Sequence, residues 1–168
     1  MVVGNQWTCT RSMLGAIRCW GSGLASHGND RVYGDDESPG SAANVQVGGS
    51  VLRLDGYGSY QGGTRSHICV VLDGGDVRCW GSGGPWLGQG DLSSIGDDET
   101  PASKQPVPLP EPAVFVATGQ LAGPGVSCAI GESGQLYCWG SAELLGYGDG
   151  SDRGGTPGSM PPGPVPFE

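Results

Sequence analysis

Apolar residues in this chain come in short clusters separated by Gly- and Pro-rich stretches, without the 3.6-residue period of an amphipathic helix. Three clusters share one frame: "TCTRSMLGAIRCWG" at 8–21, "ICVVLDGGDVRCWG" at 68–81 and "SCAIGESGQLYCWG" at 127–140. Each predicts a β-hairpin. Its loop is three residues ending in glycine, because the last position of a type I turn with a bulge takes positive φ. The loops are Met13-Leu14-Gly15, Asp73-Gly74-Gly75 and Glu132-Ser133-Gly134. Opposed residues then sum to a constant: Arg11 faces Ile17, Val71 faces Val77 and Ile130 faces Leu136. The same constant sets Cys9 opposite Cys19, Cys69 opposite Cys79 and Cys128 opposite Cys138.

The hairpins recur at 60 and then 59 residues, and the echo continues downstream. "LGQG" at 87–90 answers "LGYG" at 145–148, with a degenerate "ASHG" running from Ala25 to Gly28. Gly34, Gly96 and Gly154 follow at a constant offset; the first two open "GDDESP" and "GDDETP". Next come short apolar segments, "VQV" at 45–47, "VPL" at 107–109 and "VPF" at 165–167, and then "SVLRL" at 50–54 and "AVFVATG" at 113–119. Four short strands per unit, bounded by Gly/Pro turns, predict an all-β fold: β-propeller blades of four-stranded antiparallel sheets in three repeats. The units are 1–54, 55–112 and 113–168, together one domain or part of a larger propeller.

Composition supports many turns between many strands. Gly (34) and Pro (13) exceed a quarter of the 168 residues, yet five Trp and five Tyr recur in register, which argues against disorder. The net charge of −9 makes nucleic acid a poor partner, since a phosphate backbone would be repelled. No stretch approaches eighteen apolar residues, so no membrane span is expected. "MVVGNQWTC" lacks the basic and apolar segments of a signal peptide, so for a secreted protein the signal would lie upstream.

The joint pattern of paired cysteines, CWG, LGxG and GDDE-[ST]-P resembles the regulator of chromosome condensation repeats, in their cysteine-containing secreted bacterial branch. The resemblance covers nearly the whole chain as three repeats. It implies a propeller that usually closes with seven blades. It also supplies precedents for protein-binding functions: exchange on a nuclear small GTPase, inhibition of a β-lactamase and, in a plant photoreceptor, light sensing by clustered tryptophans. The nuclear precedent fits poorly with an acidic surface and paired cysteines.

Opposed residues in an antiparallel pair lie roughly 4.5–5.5 Å apart, within disulfide reach, so hairpin geometry favours the pairs 9–19, 69–79 and 128–138. Each would add about 2–3 kcal/mol and imply an oxidising compartment. Free core thiols or zinc are the alternatives, although C-x2-C spacing is absent and only His27 and His67 complement the thiols. Trp20, Trp80 and Trp139 each follow a cysteine, point to the opposite face and are expected in the blade core. Gly15, Gly75 and Gly134 are the turn glycines.

The runs Asp35-Asp36-Glu37 and Asp97-Asp98-Glu99 offer hard oxygens for calcium, but lack EF-hand spacing and read first as solvated turn caps, with calcium or a partner contact as the alternatives. "DGSD" at 149–152 reads as a turn. No catalytic set is visible: His27 and His67 stand beside no evident serine or cysteine nucleophile, and no helix follows the GxG turns to hold a phosphate. No cofactor is expected beyond the calcium possibility.

A three-blade arc exposes an apolar face at each end, so the chain is expected either to belong to a longer polypeptide or to associate with itself as a closed ring or a filament. The expected function is non-enzymatic: an extracellular or cell-surface interaction module, bound to a protein partner through its loops. The alternatives are a filament, sheath or adhesin subunit, and calcium-dependent binding of a surface ligand.

Overall fold

A computed structural model describes residues 1–22, 26–29, 31–59, 65–120 and 124–167. Their strands form three antiparallel sheets. The first holds β1 (Val2–Val3), β2 (Trp7–Arg11) and β3 (Ile17–Gly21). The second holds β4 (Val51–Ser59), β5 (Arg65–Leu72) and β6 (Val77–Gly81). The third holds β7 (Ala113–Gln120), β8 (Gly125–Gly131) and β9 (Leu136–Gly140). The fold is all-β, built of repeated blades, and the boundary expected between 54 and 55 falls inside β4.

Each hairpin closes as its turn chemistry requires. In the first, Ser12 N donates to Ala16 O (2.8 Å) and Gly15 N to Ser12 O (3.1 Å); the second and third repeat this at Leu72–Asp76 and Gly131–Gln135. Gly15, Gly75 and Gly134 sit at φ 81°, 82° and 83°, the left-handed region that a Cβ disfavours. Cys9, Cys69 and Cys128 then face Cys19, Cys79 and Cys138, and each pair is a disulfide with Cα atoms 4.1 Å apart.

The expected fourth strand does not form: among the described residues each sheet has three strands. Segments 45–47, 107–109 and 165–167 lie along the outer edge, each held by a single backbone bond at 2.8 Å: Val45 N to Ile17 O, Val107 N to Val77 O and Val165 N to Leu136 O. Proline is the reason in the last two. Pro106, Pro108 and Pro110, and Pro164 and Pro166, have no N–H with which to extend a ladder. In the first segment Gln46 O instead accepts from Ala102 N of the next unit (2.9 Å). The valines still point inward and are buried.

The blades stack through opposite faces. Strand alternation puts Trp7 and Cys9 on one face of the first blade, and Ser66, Ile68 and Val70 on the facing side of the second. Trp7 Nε1 donates to Ser66 Oγ across this junction at 2.8 Å. The second junction repeats the scheme, with His67, Cys69 and Val71 turned toward Ser127, Ala129 and Trp139; all of these are buried. Loops stitch the blades further: Gly28 N donates to Gly96 O (2.9 Å) and Gly90 N to Gly154 O (2.8 Å). The third blade's equivalent outer face, Val126, Cys128 and Leu136, is only partly buried, and Ile130 is exposed.

Candidate functional site

The glycine of each CWG lets the chain leave its strand. Gly21, Gly81 and Gly140 have φ of 99°, 120° and 126°. A Cβ there would lie 2.1–2.3 Å from the carbonyl oxygen of Gln6, Ser66 or Gly125. In the second blade this exit leads into a 3-10 turn, Pro85–Leu87, that carries Trp86 to the junction with the third blade.

Trp86 is fixed from several sides. Its Nε1 donates to Ser82 O (2.9 Å), and its own carbonyl accepts from Trp139 Nε1 (2.8 Å) and Ser127 Oγ (2.9 Å). Gly84 and Gly125 carry no side chain because a Cβ at either would strike the indole, at 2.3 and 2.7 Å. The single hydroxyl hydrogen of Ser127 serves Trp86, so His67 Nε2, 3.1 Å away, donates to Ser127 Oγ. Cys69 Sγ lies 3.4 Å from the same oxygen. His67 Nδ1 is buried without a hydrogen-bond partner, and burial pushes the imidazole down to about 4. Ser127 is thus a spatial neighbour of His67 that sequence adjacency does not reveal. The residues are 60 apart in sequence and meet because adjacent blades stack. The pair is fully buried and serves the blade interface.

Above this hub lies a cleft of 670 Å3, open to solvent across the second and third blades. Pro85, Trp86, Leu92 and Pro124 give it an apolar lining, and Glu143 and Asp152 also line it. Both acids are exposed, and Asp152 Oδ1 accepts from Ala142 N (2.8 Å), which fixes its orientation. Among the described residues, no Arg or Lys lines the cleft. The adjacent Arg153 is already engaged, 2.7 Å from Asp149 Oδ2 and stacked 3.7 Å over the Tyr147 ring.

The three repeated tryptophans differ in setting. Trp80 and Trp139 are fully buried, while Trp20 is half-buried. Trp80 Nε1 has no hydrogen-bond partner, in contrast to Trp139. His27 Nε2 is 3.3 Å from Cys19 O, and its ring meets Tyr33 at 4.6 Å. Burial holds His27 below the usual imidazole range. Ala25, which opens the degenerate segment, lies outside the described residues.

The structure brings each acidic run together. Carboxylate oxygens of Asp35, Asp36 and Glu37, and of Asp97, Asp98 and Glu99, lie within 4.8 Å of one another. The closeness of the Asp36 and Glu37 carboxyls holds Asp36 below and Glu37 above the usual range. Each cluster also faces a cation of the chain: Arg31 Nη2 is 3.5 Å from Glu37, and Lys104 Nζ 3.2 Å from Glu99. Those cations supply part of the charge balance that calcium would provide. "DGSD" is a turn, with Ser151 N donating to Asp149 Oδ1 (3.1 Å).

Trp86 and Ser127 escaped sequence reasoning. A visible signal was a tryptophan one residue before LGQG, where the third unit has Leu144.

These features define a disulfide-stabilised, β-propeller-like module. Among solved structures, the crystal structure of human WBSCR16 is similar to it, with a TM-score of 0.65 and 16% identity over 98% of this chain. The chain spans 36% of that protein's length. No protein-family model and no curated protein matches the chain. The expected membership of the regulator of chromosome condensation repeat family, in its secreted bacterial branch, is corrected by this result. The likeness, to a human protein at 16% identity, is one of fold. Among the described residues no helix is long and apolar enough to cross a membrane.

Proposed function

We propose that this chain is a binding module that recognises a partner protein in an oxidising, extracellular setting, without catalysis. The cleft between the second and third blades carries this reading. It is large, open, and backed by a tryptophan whose ring and backbone are both held in place. A rigid site costs little ordering on association. The compartment follows from the three disulfides, which persist where thiols are not kept reduced. A photo-crosslinking residue at Leu92, on the cleft wall, is expected to yield one dominant adduct in the extracellular milieu. The same residue at Met13, on an exposed hairpin tip, is expected to yield none. Equal or no labelling at the two sites would remove the cleft as the binding surface.

A second reading rests on the third blade. Its outer face, Val126, Cys128, Ile130 and Leu136, is equivalent to the faces that the first two blades bury against a neighbour. The occupant proposed for it is the first blade of a second copy. That blade offers Thr8, Thr10 and half-buried Trp20 where the third blade offers Ser127, Ala129 and Trp139 to its neighbour. Native mass over a range of concentrations, without reductant, tests this. Discrete multiples support assembly, and a monomer at all concentrations rejects it.

A further inference from the structure

We infer that the cleft between the second and third blades receives an arginine side chain presented by a basic segment of the partner. This rests on the binding-module reading and specifies the chemistry of its partner. The argument is charge and shape complementarity. Pro85, Trp86, Leu92 and Pro124 form an apolar wall along which the three-carbon stem of an arginine lies without losing hydration it needs. Exposed Glu143 and Asp152 line the same cleft, and a guanidinium at the end of that stem meets their carboxylates.

Among the described residues lining the cleft there is no competing cation. Arg153, next in sequence to Asp152, is turned away onto Asp149 and the Tyr147 ring. Asp152 is oriented by the Ala142 amide through one oxygen, leaving the other for a ligand. The chain as a whole carries −9, so its field draws a basic segment toward the surface before contact. Arginine fits better than lysine, because its planar, weakly hydrated head tolerates the proline and indole surroundings.

The test uses the intact, oxidised chain and two acetylated, amidated pentapeptides, Gly-Ser-Arg-Ser-Gly and its citrulline counterpart, which is isosteric but uncharged. Amide and indole NMR resonances are followed during titration. The arginine peptide is expected to shift Trp86 Nε1–H and the Ser141 to Glu143 amides, with the citrulline peptide about three- to fivefold weaker, a ratio of the size that solvent-exposed charge pairs give. The double variant Glu143→Gln, Asp152→Asn keeps the Asp152 turn acceptor and is expected to abolish the difference between the peptides. Glu37→Gln, Glu99→Gln removes the same charge from loops outside the cleft and is expected to preserve it. Equal shifts by both peptides, shifts insensitive to the cleft variant, or no shifts at all would overturn the inference. An adduct at Leu92 that persists despite such a result would leave the binding module standing with a partner of different chemistry.

Discussion

His67 Nε2 lies 3.1 Å from Ser127 Oγ across the junction of the second and third blades, in a site from which water is excluded. In the preceding junction Trp7, which aligns with His67, donates through Nε1 to Ser66 Oγ at 2.8 Å. Each junction thus carries a buried side-chain hydrogen bond, and the second adds the Trp139 and Ser127 donations to Trp86 O and an Asp55 carboxylate that accepts from Thr118.

The buried imidazole makes stability depend on pH. His67 titrates near 4 in the folded chain against 6.5 when exposed, so the unfolded state binds the proton more readily. The stability this represents, about 3 kcal/mol, is present above pH 6.5 and is lost as pH falls toward 4. Denaturant unfolding between pH 7 and 4 is expected to show this slope. His67→Val, which copies Val126 of the third blade, is expected to remove that component.

Ser127→Ala is expected to cost about 1–3 kcal/mol, since it leaves His67 Nε2 without an acceptor in the interior. The Trp86 carbonyl keeps the Trp139 indole as donor, so the Trp86 indole resonance should move little. Chemical denaturation and NMR check the two halves of the statement.

Two turn glycines separate backbone strain from crowding. Gly134→Ala meets nothing within 4 Å and pays only for φ of 83°, about 1–2 kcal/mol. Gly75→Ala pays the same for φ of 82° and also sets its Cβ 2.4 Å from Pro112 Cβ, where the next blade begins. Thermal unfolding is expected to rank Gly75→Ala clearly below Gly134→Ala.

Replacing Cys69 and Cys79 together by alanine is expected to cost about 2–3 kcal/mol or more, because an eleven-residue loop is freed in the unfolded chain and buried sulfur is lost from the core. The Cys128–Cys138 pair borders the open face of the third blade, with Cys128 only half-buried, and its removal is expected to cost less.

The hairpins were legible because their information is local. A glycine three residues into a loop sets the turn, the turn sets the register, and the register sets Cys9 against Cys19. The edge segments were misread because apolar alternation at 107–109 and 165–167 was weighed above the prolines that interrupt any ladder there. The His67–Ser127 hub was not legible, since its two residues belong to different blades and only stacking brings them together. The cleft was missed for the same reason: Leu92 and Pro85 belong to one unit, Glu143 and Asp152 to the next.

The most direct measurement is disulfide mapping of the protein from its native source, with free thiols trapped at lysis and peptides analysed without reduction. The account predicts three bonds, Cys9–Cys19, Cys69–Cys79 and Cys128–Cys138, each within one hairpin. Trapped free thiols, or a bond joining cysteines of two hairpins, would contradict both the blade architecture and the oxidising setting proposed for its function.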